Sequence, residues 1–193
     1  MTRLLVLCTH NSARSQMMEG WLRHHAREAG LELEVWSAGT EKSGVKEDAV
    51  TVMAEAGIDL SAHSSKTLFE VPDPWAFDVV LTVCDDANEA CPAYPARTER
   101  RHVRVPDPSG RDRHAWRRVR DGLCIMSRCL VGGLADGRTA SDAELEEALS
   151  AATADPGLGT RVDGTAGCAP EARKEPGSAR QSEPCDGTPG RGE

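Results

Sequence analysis

The sequence predicts a single α/β domain: a central four-stranded parallel sheet flanked by helices, followed by a disordered C-terminal tail. Two observations carry this. Short apolar runs alternate with longer stretches of helical spacing, the pattern of parallel strands joined by crossover helices. Beyond about residue 151 large apolar side chains nearly vanish, and such a segment cannot bury enough surface to offset its ordering entropy. The expected boundaries are a domain over 1–135, a short and poorly anchored helical segment over 136–150, and a tail over 151–193.

The first strand is the run Leu4 to Leu7, apolar on both faces as a central parallel strand should be. A helix follows from about Arg14 to Ala29, with Met18, Trp21, Leu22 and His25 at helical spacing and Gly30 as its stop. A second strand spans Leu33 to Ser37 and runs on into Ala38-Gly39-Thr40. Glu47 to Ala56 reads as a helix with Ala49, Val52, Met53 and Ala56 on one face. A polar loop, Ser61 to Lys66, leads to a short helical stretch near Leu68. The third strand is Asp78 to Val83, and a weaker fourth is His102 to Val105. The last core helix begins after Gly110 and carries Trp116, Val119, Leu123, Met126 and Leu130. The Gly132-Gly133 pair should weaken or end it, leaving Asp142 to Ala148 as a loosely held helix.

Composition narrows the function classes. A formal net charge of -8 over 193 residues argues against a nucleic-acid binder. No apolar run is long enough to span a membrane, and the N-terminus does not read as a signal peptide, so a cytoplasmic protein is expected. Seven cysteines then point to redox or catalytic use before a disulfide framework.

The chemistry concentrates in Cys8-Thr9-His10-Asn11-Ser12-Ala13-Arg14-Ser15, between the first strand and the first helix. Backbone N–H groups of such a loop converge on an anion, and the helix N-terminus adds its positive dipole end. The Arg14 guanidinium offers a planar fork to two oxygens of a tetrahedral oxyanion. This field should depress the pKa of Cys8 and make it a nucleophilic thiolate, with Ser15 donating to the sulfur.

Two further groups fall on the same rim of the sheet, where ligands of parallel sheets bind. Cys84 ends the third strand, and Cys91 follows seven residues later in Cys84-Asp85-Asp86-Ala87-Asn88-Glu89-Ala90-Cys91-Pro92. The pair reads either as a resolving pair that relays oxidation away from Cys8 or as two unrelated cysteines. In a continuous helix their Cα atoms would stand roughly 10 Å apart, whereas a disulfide needs about 4.4–6.8 Å. Bridging them therefore requires the segment to loop out. Pro106-Asp107-Pro108 holds a stiff carboxylate beyond the fourth strand, placed to act as a general acid.

The cradle, Ser37-Ala38-Gly39-Thr40, the Cys84/Cys91 pair and Asp107-Pro108 together resemble the thioredoxin-coupled arsenate reductases, which share a fold with the low-molecular-weight protein tyrosine phosphatases. The similarity covers roughly Arg3 to Leu130. It implies that Cys8 attacks arsenate held by Arg14 and the loop amides, with Asp107 protonating the departing oxygen. Cys84 then attacks Cys8 and releases arsenite, Cys91 attacks Cys84, and thioredoxin reduces the Cys84–Cys91 disulfide. Thioredoxin is the implied reductant, no cofactor is bound, and phosphate or sulfate should compete with arsenate.

In some members of the family, positions matching Asn11, Glu19 and Ser37 bind potassium. Lys66 stands where those members carry Asp, and its ammonium can take the cation's place, so no metal is expected. The last helix also departs from the family pattern: Gly122, Cys124 and Cys129 replace its usual charged, Ala/Leu-rich sequence. Those two cysteines read as core filling. Cys168 and Cys185, in the tail, have no assigned role. His24 and His25 read as solvated or half-buried residues before they read as metal ligands. Two rival functions stand beside arsenate reduction: a phosphomonoesterase of the low-molecular-weight phosphatase type, and a non-enzymatic oxyanion or arsenite binder.

Overall fold

The computed structural model describes residues 1–84 and 95–154. Four parallel strands, β1 (Thr2–Cys8), β2 (Leu33–Gly39), β3 (Val79–Thr82) and β4 (Glu99–His102), form one sheet in the order β2-β1-β3-β4. Around them lie α1 (Arg14–Glu28), α2 (Glu47–Glu55), a 3-10 turn (Leu68–Glu70), α3 (Arg113–Ala135) and α4 (Asp142–Ala154). Against the expectation of a disordered tail from residue 151, residues 151–154 form the last turn of α4; the remainder from 155 onward, with Cys91, Cys168 and Cys185, lies outside the described residues.

The register positions the chemistry. Cys8 pairs with Gly39, Leu7 with Thr82, and Thr82 with His102, so the strands end together on one rim. Alternation along β1 splits the core. Leu4 and Val6 pack with residues of all four described helices, while Leu5 and Leu7 pack with Leu68, Val71 and Phe77 of the 3-10 turn and the segment after it. Both faces of the central strand are buried, as its unbroken apolar run requires.

Two expectations need correction. The fourth strand pairs over Glu99–His102, not His102–Val105. It is an edge strand with exposed charges at its start, which an apolarity search passes over. Val103 and Val105 still hydrogen-bond to Thr82 and Val83 (3.0 and 3.3 Å), and both are buried as the chain leaves the ladder toward Asp107.

The segment after residue 135 is not loosely held. α3 passes through Gly132-Gly133 to Ala135, and the chain turns at Gly137, which has a positive φ of 76°. α4 then lies against α3 with Leu145, Ala148 and Leu149 buried. Gly122 makes this approach possible: a Cβ there would stand 2.8 Å from Leu149 Cδ1. Asp142 accepts a bond from the His102 N–H (3.2 Å), and the Arg101 guanidinium donates to Ala140 O (2.6 Å).

Leu145 is fully buried in the main core. Leu145→Ala should therefore cost about 3 kcal/mol of stability, within the range for buried Leu truncations. Urea unfolding beside the exposed control Glu146→Ala tests this. A change at Leu145 no larger than at the control would mean that α4 is peripheral after all.

Candidate functional site

The segment from Cys8 to Ser15 is a tight loop closed by the start of α1. Ala13 occupies the N-cap and supplies no side-chain bond, and the first turn of α1 carries no acidic residue. The N–H groups and dipole of that turn therefore remain available to an anion.

Asn11 sets the loop's shape. It is fully buried and has a positive φ of 48°, a conformation that Asn tolerates better than most residues. Its Nδ2 donates to Ser15 Oγ (3.0 Å) and Ser37 Oγ (2.8 Å). Its Oδ1 accepts from Gln16 Nε2 and the Lys66 N–H, both at 2.9 Å. Ser37 Oγ donates to Glu19 Oε2, and Glu19 is charge-paired with Arg23 (2.6 Å) and Lys66 (3.7 Å). The oxygens of Asn11, Ser37 and Glu19 are thus engaged by protein donors and two cationic side chains. That arrangement does not fit a bound monovalent cation.

Backbone contacts lock the rest of the loop. The Glu41 N–H donates to Thr9 O (2.9 Å), the Lys46 N–H to Ser12 O (2.8 Å), and Ser65 Oγ to His10 O (2.9 Å). Gly39 is required at this crossing, because a Cβ would lie 2.5 Å from Glu41 O and 2.6 Å from Thr9 O. The His10 side chain points outward to Glu41 (3.4 Å), while its backbone N–H faces the Cys8 sulfur. The expected bond from Ser15 to that sulfur is not present; Ser15 Oγ instead accepts from Asn11 Nδ2.

Cys84 lies beside Cys8, both buried, with Sγ–Sγ at 3.6 Å. Thr9 Oγ1 is 3.3 Å from Cys84 Sγ. This closeness reverses one expectation. The Cys8 thiol is pushed up rather than down, by its hydrogen bond with Cys84 first, then by burial and the charge of Cys84. Arg14 and the His10 N–H pull the other way without prevailing. Sequence reasoning took account of the loop's positive field but not of a second thiol in contact.

Arg14 reaches across the rim, donating to Val105 O (2.9 Å) and Asp107 Oδ2 (3.1 Å). The Ser109 N–H donates to Asp107 Oδ1 (2.8 Å). Burial would raise the Asp107 carboxyl, but Ser109, Arg14 and Lys46 together hold it below its usual value. Cys8, Arg14 and Asp107 line a cleft of about 440 Å³ together with His10, Lys46 and Ser109. Among the described residues that line it there is no Phe, Tyr or Trp.

The structure thus brings Cys8, His10, Ser12, Ala13, Arg14 and Asp107 to one cleft, sets Thr9 and Cys84 together beside Cys8, and gives Asn11 and Ser15 to the loop's frame. Sequence reasoning missed Lys46, a second cation at the cleft, and Gln16 and Ser65, which hold the loop from behind. Gln16 had a signal, being a polar residue that shares the buried side of α1 with Met17 and Met18.

The comparisons with known proteins agree with this geometry. A family model described as low molecular weight phosphotyrosine protein phosphatase matches residues 3–139. An arsenate reductase of Halalkalibacterium halodurans is 45% identical over 123 residues, which is 61% of this chain and 86% of that protein. The crystal structure of an arsenate reductase from Archaeoglobus fulgidus superposes with a TM-score of 0.56 at 30% identity, covering 67% of this chain and 98% of that one. A low molecular weight protein tyrosine phosphatase from T. tengcongensis superposes with a TM-score of 0.56 at 26% identity, covering 64% and 93%.

Since Cys84 is the leading cause of the raised Cys8 thiol, Cys84→Ala should move the onset of Cys8 reactivity to lower pH. Iodoacetamide alkylation rates at Cys8, resolved by mass spectrometry across pH, measure this. An unchanged or upward-moved midpoint would refute the assigned cause.

Proposed function

We propose, from the premise that this chain belongs to the low molecular weight phosphotyrosine protein phosphatase family, that it is a thiol-based arsenate reductase recycled by thioredoxin. The observation that carries this reading is the second thiol at 3.6 Å from the nucleophile. Phosphoryl transfer on such a loop needs one nucleophile, one acid and one cation. Reducing an oxyanion needs two electrons as well, and two thiols supply them by closing a disulfide. The polar lining supports a small inorganic oxyanion, because none of the described residues in it is a Phe, Tyr or Trp that could sandwich an aryl ring.

The chemistry runs as follows in this reading. Arsenate binds against the loop N–H groups, the α1 N-terminus and Arg14, with Lys46 as a second cation. Attack starts from the protonation state in which Cys84 keeps the shared proton and Cys8 carries the charge, facing Arg14 and the His10 N–H. Cys8 Sγ forms a bond to arsenic, and one arsenic oxygen leaves as water. Asp107 is ionised in the free site, so the proton it delivers must be taken up as the oxyanion binds beside it and draws on Arg14. Cys84 then gives its proton to an oxygen on arsenic, and its Sγ attacks Cys8 Sγ, closing from 3.6 Å to a bond of about 2 Å. The electron pair of the broken S–As bond stays on arsenic, which leaves as arsenite. Cys91 attacks Cys84, frees Cys8, and the Cys84–Cys91 disulfide passes to the thioredoxin dithiol by exchange.

Phosphate and sulfate are competitors in this reading, and the reductant is a partner protein, not a bound cofactor. A cytoplasmic setting suits free thiols that cycle. No described helix is long and apolar enough to cross a membrane.

The test is NADPH oxidation with arsenate, thioredoxin and thioredoxin reductase, run beside phosphate release from an aryl phosphate. Arsenate-dependent oxidation that disappears without thioredoxin is expected. Aryl phosphate turnover without it would make the protein a phosphatase.

Two variants probe the steps. Asp107→Asn should slow formation of the Cys8–arsenic adduct by ~10²–10⁴-fold, the usual weight of general acid catalysis; a rate within threefold of wild type would remove Asp107 from that step. Cys91→Ser should retain one turnover and lose thioredoxin-driven cycling. Full steady-state turnover by that variant would sink the relay.

A further inference from the structure

Far from the cleft, at the other end of α1, three side chains with metal-binding atoms converge, and a fourth stands beside one of them. His24, His25 and Glu28 offer one donor atom each, and these three atoms lie within 4.8 Å of one another. Across the interface, Cys124 of α3 brings its Sγ to 3.9 Å from His25 Nε2. Along α1, the rise from Arg14 to His25 puts this cluster about 16 Å from the cleft. Nothing in the proposed reaction uses it.

The arrangement of protons and lone pairs is specific. Ser127 Oγ donates its proton to Cys124 O (2.8 Å), so at its 2.8 Å contact with His25 Nδ1 it must accept. Nδ1 therefore carries the imidazole proton, and the lone pair is on Nε2, facing Cys124. A second-sphere oxygen that fixes the tautomer in this way is what a metal-binding histidine requires. Trp21 stacks on the His25 ring (centroids 5.4 Å apart, planes at 11°) and holds its plane.

Two ligand-pair distances and the charge suit one class of ion. In a tetrahedral zinc-like site, two N/O ligands at about 2.05 Å stand ~3.3 Å apart, and an N/S pair stands ~3.6 Å apart. Here His24 Nε2 to Glu28 Oε1 is 3.3 Å, and Cys124 Sγ to His25 Nε2 is 3.9 Å. One thiolate and one carboxylate neutralise one divalent cation, and two neutral imidazoles complete four ligands. His24 and Glu28 lie toward solvent, which gives the ion a way in.

We propose that His24, His25, Glu28 and Cys124 form a binding site for a borderline divalent cation such as Zn2+, which clamps α1 to α3. Binding breaks the Cys124 S–H bond, forms a sulfur–metal bond and releases one proton to solvent. No electrons are transferred. The role is structural, since all four coordination positions come from the protein.

The test uses the full-length, reduced, metal-free protein and Co2+ as the spectroscopic probe. The comparison is the double variant His24→Ala/Glu28→Gln, which alters the outer ligands and leaves every cysteine in place. Metal bound at active-site thiols therefore appears equally in both and subtracts. The difference spectrum should show one equivalent of cobalt with intense tetrahedral d–d bands and a sulfur-to-cobalt charge-transfer band. Binding in the variant should weaken by at least about tenfold. Zn2+ should raise Tm in the wild type and not in the variant. Cys124→Ser should lose the charge-transfer band from the difference spectrum. Identical cobalt spectra and identical zinc responses in wild type and double variant would overturn the proposal, as would no binding in either.

Discussion

The site depends on one buried amide. Asn11 holds the loop at a positive φ, and every polar atom of its side chain has a partner in a different part of the fold. Through Ser15 and Gln16 it binds α1, through Ser37 the end of β2, and through the Lys66 N–H the segment after α2. Leaving any one of these buried partners unpaired costs about 1–3 kcal/mol. The loop therefore has one low-energy shape, with its N–H groups preorganised toward an anion before any anion arrives. Gly39 is part of the same constraint, because β2 can end against this loop only without a side chain.

A reductase of this design must meet two demands that pull against each other. The nucleophile needs a low pKa, which the loop and Arg14 favour. The second thiol must stand close enough to take the nucleophile's sulfur, and that closeness raises the Cys8 thiol. A like pair held apart from water shares one ionisation between two sulfurs, and the cradle decides which of them carries it. Asp107 is governed by the same positive charge. Ser109, Arg14 and Lys46 hold its carboxyl below its usual value, so in the proposed reaction the acid becomes competent only when the substrate's charge is added. In the proposed reaction both groups are thus set by what binds between them, which would tie proton supply to oxyanion binding.

Much of this was legible in the sequence, for identifiable reasons. Leu4 to Leu7 announces a central strand because both its faces are covered, and Cys8 with Arg14 is a local pattern that needs no tertiary knowledge. The edge strand was misplaced because its ladder is carried by charged residues, Glu99 to His102, whose apolar partners come only after it. The raised Cys8 thiol was misjudged because its cause sits 76 positions away. Lys46 was missed for a related reason. It reaches the cleft through its backbone bond to Ser12 O, a long-range contact with no periodic signature.

The departures in α3 yield to one explanation once its neighbours are known. Read alone, Gly122, Cys124 and the Gly132-Gly133 pair look like damage to a helix expected to be rich in good helix formers. All but Gly132 match a partner. Gly122 gives room to Leu149 of α4, and Gly133 gives room to the return at Arg138 and Ala140, where a Cβ would meet backbone at 3.2 Å. Cys124 faces His25 of α1. The family model ends at residue 139, and α4 begins at Asp142, so α3 has been fitted to a helix outside the matched domain. The intrinsic cost of glycine in a helix, roughly 1 kcal/mol each, is offset by burial of Leu145 and Leu149 at about 1.5–3 kcal/mol apiece. Propensity lost within α3 is thus regained between helices, which is why a reading confined to α3 could not find it.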